Sequence, residues 1–323
     1  MPPRAVLSRV WASALVVVSA LGLHWSGASA DVTGAPRAGV VAHAPPRRSV
    51  QAASAGCGAS ARPGDTTIRV LVAGGQLRTA RLHVPRAALG HPAPLLLAFH
   101  GSGATGRFME RYSGLTAPLD AAGAIGVFPD AAGGRWQLTG DVLGGDVAFV
   151  GDLLDAVEQR VCVDARRVWA TGVSNGGGFT ALLACELSER IAAVAVVAGG
   201  FASLSACRPA RPVSVLEIHG TDDPVVPYAG RPQDGRRGAV RAWLAGWVRR
   251  DGCAREPRTR MLAARVALLT WNGCAAGTAV SHIRIAGGRH QWPGATPPDP
   301  GPRAGFSAAG EIWRFLAGRR LPA

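Results

Sequence analysis

A serine between two glycines is the first group in this sequence that could carry out covalent chemistry. The turn Gly172-Val-Ser-Asn-Gly176 follows apolar, β-favouring residues at 168–169 and precedes helix-forming residues at 179–184. A G-x-S-x-G turn between a strand and a helix predicts a nucleophile elbow, in which a strained backbone exposes the serine hydroxyl. The helix after Ser174 would direct free N–H groups toward a developing oxyanion. Because the chain contains 43 Gly, a glycine-rich connection without chemistry is the alternative.

A serine hydroxyl is a poor nucleophile at neutral pH and needs a positioned base. His290 is the predicted base, because it lies in a segment rich in Gly and Pro, Gly287-Gly-Arg-His-Gln-Trp-Pro-Gly294, that no amphipathic helix explains. His282 lies on a predicted strand and His219 at a predicted turn, so both are interpreted as structural. A surface loop histidine is the alternative interpretation of His290.

A carboxylate must then orient the imidazole and stabilise the imidazolium. Asp222 and Asp223 follow a predicted strand at 213–218, in the segment His219-Gly-Thr-Asp-Asp-Pro-Val-Val-Pro-Tyr228. Because the two acids are adjacent, their side chains point in different directions, and one of them could cap the turn through its own backbone. The residues alone leave the choice between them open.

Acyl transfer also needs two backbone N–H groups that stabilise an oxyanion. Asn175, next to the serine, is predicted to supply the first N–H. Ser102 is predicted to supply the second, in the small-residue loop His100-Gly-Ser-Gly-Ala-Thr-Gly106 that follows an apolar run. A plain turn at the end of a strand is the alternative for this loop.

The elements that position these groups follow from the apolar pattern. An edge hairpin is predicted from 67–72 and 77–84, and further strands at 95–99, 124–128, 191–197, 213–218, 266–269 and 282–285. Helices are predicted at 107–122, 146–160, 239–250 and 310–317. Strands that alternate with helices imply an α/β fold with a mostly parallel central sheet and helices on both faces. Ligands of such sheets bind beyond the carboxyl ends of the strands, where the candidate residues fall.

The first thirty residues are organised like a secretory signal peptide. Arg4 and Arg9 precede an apolar run at 12–23 that is short for a membrane span, and Ala28-Ser-Ala30 resembles a cleavage site. An uncleaved membrane anchor is the alternative. Residues 31–56 are predicted to be a disordered linker rich in Ala, Pro and Arg, and 57–323 a single catalytic domain. We therefore predict export to the extracellular space or cell envelope, without stable membrane insertion after cleavage.

Six cysteines in an exported chain predict disulfides, and fifteen pairings are possible. Our hypothesis joins cysteines that close short segments and pairs the two that remain: Cys253 with Cys274, Cys185 with Cys207, and Cys57 with Cys162. No cysteine or histidine spacing predicts a metal site, and no organic cofactor is implied. The net charge is +14 without any lysine. The arginines are scattered and not interleaved with aromatic residues, so nucleic-acid binding is not predicted.

Four segments together resemble the polyhydroxybutyrate depolymerase and feruloyl esterase-like branch of the α/β-hydrolases. They occur in the family's order and the resemblance extends over about 65–317: Ala98-Phe-His-Gly-Ser102, Arg167-Val-Trp-Ala-Thr-Gly-Val-Ser-Asn-Gly-Gly177, His219-Gly-Thr-Asp-Asp-Pro-Val-Val-Pro-Tyr228 and Gly287-Gly-Arg-His-Gln-Trp-Pro-Gly294. In that family the triad aspartate lies in an H-G-T-x-D-x-x-V-P-Y block, a position that Asp223 occupies here, which ranks it above Asp222. The G-G-x-H-x-W-P-G block supports His290 and implies that Trp292 contacts substrate; a core aromatic is the alternative.

The resemblance implies a secreted serine esterase that forms an acyl-enzyme. The expected substrates are polyhydroxybutyrate-type oligomers or related short esters, or alternatively feruloyl or acetyl esters of plant polysaccharide. The chain departs from the family where Trp136-Gln137 replaces a W-N pair and Gly145-Asp146 lacks the first acid of a D-D pair. No separate polymer-binding module is expected after the catalytic domain, which favours soluble esters. A non-catalytic binding protein on the same scaffold is the other functional class, although all three triad residues are present.

Overall fold

The computed structural model describes residues 53–72, 75–138, 145–201, 207–231, 240–297 and 305–322. The predicted signal peptide at 1–30 and residues 31–52 of the predicted linker lie outside these ranges. Within them the chain forms ten strands: β1 (Gly64–Leu71), β2 (Leu77–Val84), β3 (Ala93–Phe99), β4 (Ile125–Pro129), β5 (Val163–Val173), β6 (Ala193–Val197), β7 (Ser214–Gly220), β8 (Arg258–Ala263), β9 (Val266–Trp271) and β10 (Val280–Ile285). It also forms six α-helices: α1 (Gly106–Tyr112), α2 (Thr116–Ala122), α3 (Asp146–Arg160), α4 (Asn175–Glu186), α5 (Val240–Arg250) and α6 (Ala308–Leu316).

All ten strands belong to one sheet, in the order β1-β2-β4-β3-β5-β6-β7-β10-β9-β8. The centre, from β4 to β10, is parallel. The β1–β2 hairpin and the β8–β9 pair extend the two edges with antiparallel strands. The predicted mostly parallel α/β sheet is therefore confirmed. Four parallel strands, β3, β5, β7 and β10, end at the same edge of the sheet and carry the loops with the candidate residues.

The side chains of the central strands alternate between two hydrophobic clusters, one on each face of the sheet. Leu95, Leu97 and Phe99 of β3 face the cluster that α3, α4 and α5 cover. Leu96 and Ala98 face the opposite cluster, which α1, α2 and α6 cover. Because both faces are buried, the sequence of β3 is a continuous apolar run and not an alternating one.

The structure joins the cysteines as we hypothesised, in the pairs Cys57–Cys162, Cys185–Cys207 and Cys253–Cys274. The first pair ties the N-terminal segment to the beginning of β5. Residues that precede the predicted boundary at 57 also contact this part of the fold: Ala53 forms an isolated β-bridge with Asp164, and Ser54 donates a hydrogen bond to the Val161 carbonyl at 3.0 Å. No helix among the residues described here has the length and apolar character needed to cross a bilayer.

Two elements differ from the sequence prediction. The helix predicted over 107–122 is divided into α1 and α2, because Gly114 adopts a left-handed φ of 66° between them. Strand β8 was not predicted: its residues are mostly exposed at the edge of the sheet, so they lack the apolar pattern by which buried strands are recognised.

Candidate active site

Ser174 occupies the turn between β5 and α4 with a φ of 57° and a ψ of −118°, a conformation that non-glycine residues rarely adopt. Its N–H donates to the Val197 carbonyl at 2.9 Å, which fixes the turn against β6. A Cβ on Gly172 would collide with the Gly176 carbonyl, and one on Gly176 with the Phe99 carbonyl. Both glycines are therefore required for the close approach of strand and helix, as a nucleophile elbow demands.

His290 and Asp223 are brought together from loops that are far apart in the sequence. Asp223 follows β7 and His290 follows β10, and Nδ1 of His290 lies 2.7 Å from Oδ2 of Asp223. The Asp223 side chain is fully buried, whereas that of His290 is 21 % exposed and reaches the cleft that Ser174 also lines. Asp222 is solvent-exposed and accepts a hydrogen bond from the Thr221 hydroxyl at 2.9 Å. Of the two adjacent acids, Asp223 is the one beside the imidazole.

The loop after β3 lies opposite the elbow. Ser102 and Asn175 line the cleft together with Ser174. The Asn175 side chain is held by the Trp136 backbone, accepting from its N–H at 2.8 Å and donating to its carbonyl at 3.0 Å. The Trp136 indole N–H in turn donates to the His100 carbonyl at 3.0 Å. These bonds fix the loops after β3 and β4 relative to the start of α4, where oxyanion donors are needed.

His100 fixes the same loops through its imidazole. Burial lowers the pKa of His100, so the ring is neutral and each nitrogen has one function. Nδ1–H donates to the Gly101 carbonyl at 2.7 Å, and Nε2 accepts from the Ala131 N–H at 3.1 Å. The loop after β4 is thereby attached to the end of β3.

Asp146 follows Gly145, which replaces the first acid of the family's D-D pair. Like His100, Asp146 has a structural role. It is buried, pairs with Arg78 at 2.8 Å and accepts the Gln137 N–H at 2.8 Å. The Arg78 guanidinium also lies over the Phe149 ring, 4.0 Å from its centroid. This acid therefore anchors the Trp136 loop from behind.

Trp292 does not lie where the sequence predicted. Its side chain is 1 % exposed, packs in the hydrophobic cluster covered by α6, and donates a hydrogen bond from its indole to the Ser113 carbonyl at 2.8 Å. The cleft is lined by its neighbours His290 and Gln291 instead. The prediction that Trp292 contacts substrate is therefore wrong. The hydrophobic cluster and the Ser113 carbonyl hold the tryptophan in the core.

Three polar groups lie buried behind Asp223: His219 and His282, which were interpreted as structural from the sequence, and Glu217, which was not singled out; their association with Asp223 was not predicted. Nε2 of His219 lies 3.2 Å from Oδ2 of Asp223 and 2.9 Å from the Val226 carbonyl. Nδ1 of His219 lies 2.7 Å from Oε1 of Glu217. Nδ1 of His282 lies 2.7 Å from the other Glu217 oxygen, although its hydrogen bond is directed at the Glu217 carbonyl, 3.2 Å away. Glu217 and His219 form an E-x-H pattern on one face of a buried strand, and that pattern was the available signal.

The two carboxylates of Glu217 and Asp223 favour the protonated, positively charged form of His219, which lies between them. Burial lowers the pKa of His219, but the charge of Glu217 and the hydrogen bond to Asp223 outweigh it and raise the pKa to about 10. Burial raises the pKa of Asp223, and its hydrogen bonds to His219 and His290 reverse this and hold the pKa well below the ordinary value. Asp223 is thus a stable carboxylate behind His290. Its other oxygen accepts the N–H groups of Val225 and Val226, each at 2.8 Å.

The raised pKa of His219 has a consequence for stability. Because His219 binds its proton more tightly in the folded state than in the unfolded state, protonation stabilises the fold. This stabilisation is complete below the ordinary pKa of 6.5 and is lost as the pH rises to about 10. We expect the melting temperature to fall by roughly 5–10 °C between these limits, and the His219→Gln protein to show a flatter profile. Few other side chains titrate as the pH rises from 6.5 to about 10, because the chain has no lysine, no free cysteine and two tyrosines. The change in stability can therefore be assigned to His219.

The exposed residue His91 provides the control for this measurement by thermal melting. The His91→Gln protein should follow the wild-type profile. Parallel profiles of the His219→Gln and wild-type proteins would show that His219 does not hold an extra proton in the folded state.

The cleft around Ser174 has a volume of about 920 Å³. Its walls are mostly apolar, with Val173, Val225 and Val226 near the elbow. Phe108 and Tyr112 of α1 stack with ring centroids 4.9 Å apart, and Phe108 is 48 % exposed. Besides His290 and the Tyr112 phenol, Arg135 is the ionisable side chain among the described residues of this lining. The cleft can therefore hold an uncharged substrate with apolar or aromatic groups.

Among the residues described here, one group has ligand atoms close enough to hold a metal ion: Asp65, His83 and Glu110, within 4.8 Å of one another. These groups are already paired within the chain. Nδ1 of His83 lies 2.6 Å from Asp65, and the Arg81 guanidinium lies 3.0 Å from Glu110. The cluster joins the β1–β2 hairpin to α1.

Comparison with known proteins gave no match to a family model. The chain is 32 % identical over 262 residues to NocK of Nocardia uniformis subsp. tsuyamanensis, a protein named as an esterase, and the match covers 72 % of this chain and 76 % of that protein. It is 29 % identical over 218 residues to feruloyl esterase B of Piromyces equi, covering 61 % of this chain and 39 % of that longer protein.

Among solved structures, an acetyl xylan esterase from Aspergillus awamori superposes with a TM-score of 0.58 over 78 % of this chain and 99 % of that one, at 14 % identity. This structural likeness confirms the α/β-hydrolase fold. Together with the sequence relatives, it shows that the chain belongs to the feruloyl esterase-like family of α/β-hydrolases and is a serine carboxylic ester hydrolase.

Proposed function

We propose that this chain hydrolyses soluble carboxylic esters through an acyl-enzyme formed on Ser174. The observation that carries the proposal is the pair of His290 and Asp223, 2.7 Å apart, at the border of the cleft that Ser174 lines. Nδ1–H of His290 donates to Asp223, which leaves Nε2 free to accept the proton of the serine hydroxyl. The serine oxygen attacks the ester carbonyl, and His290 gives the proton to the leaving alcohol. Water then attacks the acyl-enzyme. His290 takes a proton from this water and gives it to the Ser174 oxygen as the acid product leaves.

We propose the backbone N–H groups of Asn175 and Ser102 as the oxyanion donors. Asn175 is the first residue of α4, so its N–H is among those that have no acceptor within the helix. Ser102 lies in the loop whose position His100 and Trp136 fix. Preorganised donors of this kind typically contribute a factor of about 10²–10³ in kcat each.

His219 and Glu217 support the triad as positioning residues. Asp223 accepts from Val225 and Val226 through one oxygen and faces both His219 and His290 through the other. This leaves the carboxylate one orientation and keeps it charged. Protonated His219 lies beside both Glu217 and Asp223, so each of the two buried carboxylates has a cationic neighbour.

The proposal also concerns the acyl group of the substrate, for which there are two candidates. Hydroxybutyrate oligomers and related short esters, predicted from the sequence, fit a cleft with few charges. Aromatic acyl groups are the second candidate, favoured by the Phe108–Tyr112 stack at the cleft and by the feruloyl esterases among the relatives. An exposed aromatic side chain of this kind can stack on a planar ring at a contribution of about 0.5–1.5 kcal/mol.

A panel assay with methyl ferulate, hydroxybutyrate oligomers and acetylated xylan tests these alternatives. If aromatic acyl groups stack on Phe108, the Phe108→Ala variant should lose about 2- to 10-fold in kcat/KM for methyl ferulate. Its activity on a p-nitrophenyl acetate reference should stay within twofold. Equal losses on both esters would show that Phe108 maintains the cleft and does not select the acyl group. Absence of hydrolysis across the panel would contradict the proposed substrate class.

We also propose that the protein acts outside the cytosol. Three disulfides are typical of chains that fold in an oxidising compartment. The predicted signal peptide at 1–30 supports the same compartment and remains a prediction.

A further inference from the structure

A second cavity, of about 440 Å³, lies between α5 and the edge of the sheet formed by β9 and β10. His282 and Arg284 of β10 and Leu269 of β9 form its floor. These three share a face of the sheet, since Leu269 pairs with His282 and side chains alternate along a strand. Leu244 and Val248 of α5 form the wall. We call this cavity the arginine pocket; none of its described lining residues also lines the cleft around Ser174.

The arginine pocket has an excess of positive charge. Among the described residues of its lining there are one carboxylate, Glu256, and four guanidinium groups: Arg241, Arg249, Arg255 and Arg284. In the part of the chain that the structure describes, the ion pairs involve other basic residues, and none of these four lies within 4.0 Å of a carboxylate. Arginines without a carboxylate partner around a concave, partly apolar surface have the charge that an anionic ligand would balance.

The border of the arginine pocket is fixed by covalent and hydrogen bonds. The Trp271 indole donates to the Arg255 carbonyl at 3.2 Å, and the disulfide between Cys253 and Cys274 holds the segment before Arg255 against the end of β9. At the inner end, the Tyr228 hydroxyl lies 2.8 Å from Nε2 of His282. The cavity is therefore held in place before a ligand binds, which lowers the entropic cost of binding.

The chemistry of the lining defines the ligand. A guanidinium group binds a carboxylate through two parallel hydrogen bonds, and Lys could not offer this geometry. Leu244, Val248 and Leu269, with the Trp271 ring, offer apolar surface for a hydrocarbon or aromatic body beside the charge. We propose that the arginine pocket is a second binding site, for a small organic anion that joins a carboxylate to an apolar or aromatic body.

Isothermal titration calorimetry with benzoate tests this proposal. The titration uses the full chain carrying Ser174→Ala, so its result does not depend on whether Ser174 performs hydrolysis. We expect a Kd of about 1 mM or lower. Combining Arg241→Gln with Arg284→Gln should weaken the binding at least tenfold, as expected for lost charge-assisted hydrogen bonds.

Two matched substitutions show where benzoate binds. Arg260→Gln removes an exposed arginine of β8 outside both cavities, and Arg135→Gln removes the arginine of the cleft. Neither should change the Kd. If the double variant fails to fold, Arg249→Glu reverses a charge at an exposed position of α5 and should weaken binding by a similar factor. Benzyl alcohol, which keeps the ring, and inorganic phosphate, which keeps the charge, should each bind at least tenfold more weakly than benzoate.

Three results would overturn the proposal. The first is the absence of benzoate binding to the Ser174→Ala protein. The second is binding that Arg135→Gln abolishes and the pocket variants preserve, because benzoate would then occupy the cleft. The third is phosphate binding as tight as that of benzoate, since the apolar surface would then contribute nothing to recognition.

Discussion

Replacing Ser174 with alanine is expected to lower kcat/KM for a p-nitrophenyl short-chain ester by on the order of 10⁶-fold. The side-chain oxygen is the atom that would form the acyl-enzyme, and without it the remaining groups of the cleft can only promote direct attack by water. Alanine keeps the Cβ, so the φ of 57° is no more strained than in the wild type, and the melting temperature should stay within about 3 °C. The loss would therefore be chemical and not structural.

Ser60→Ala is the control for this variant, because Ser60 is exposed and distant from the elbow in the sequence. It should retain wild-type turnover. A fluorophosphonate probe should label the wild type and the Ser60→Ala protein, and leave the Ser174→Ala protein unlabelled. Turnover within tenfold of the wild type in the Ser174→Ala protein would contradict the assignment of the nucleophile.

Replacing Asp223 with asparagine should lower kcat by about 10⁴-fold, whereas Asp222→Asn should stay within a few-fold of the wild type. Nδ1 of His290 faces Oδ2 of Asp223 at 2.7 Å. An amide at this position can donate to Nδ1, which would place the ring proton on Nε2, where the base must accept. Asp222 is exposed and bonded to the Thr221 hydroxyl, so its charge has no partner in the cleft.

Asp223→Asn also removes the carboxylate that faces protonated His219, so its stability must be measured separately. Truncating one partner of a buried charged pair costs about 3–5 kcal/mol. Both variants should therefore be assayed at least 10 °C below their own melting temperatures. An Asp222→Asn variant that lost more activity than Asp223→Asn under these conditions would reverse the assignment of the triad acid.

The strongest apolar patterns gave the most accurate sequence predictions. The bounds of α3 match the prediction at 146–160, because its apolar residues recur at helical spacing and are buried on one side. The strands that end beside the candidate site were also predicted from their apolar pattern. Both faces of each strand are covered, so each carries apolar residues that point to either side of the sheet. β8 has no such constraint, and its arginines and threonine gave no indication of a strand.

The candidate site shows where sequence reasoning reaches its limit. Residue types and order indicated Ser174, His290 and an acid, since this chemistry needs those three groups in any fold. Short patterns do not determine which side chains of a loop face the core, and Trp292 was misplaced for that reason. His219 was interpreted as a turn residue, because its two carboxylate partners become visible only when β7 and the turn after it are placed in three dimensions.

The disulfide between Cys57 and Cys162 closes a loop of 105 residues that contains β1 to β4 and the segment with Ser102. Closing a loop of this length removes about 4–5 kcal/mol of chain entropy from the unfolded state in the usual model. A protease that nicks the backbone once between these cysteines would therefore release no fragment. After a nick between Ser102 and Cys162, the loop with Ser102 and the turn with Ser174 would lie on two backbone pieces that only this disulfide joins covalently, until a reducing agent breaks it.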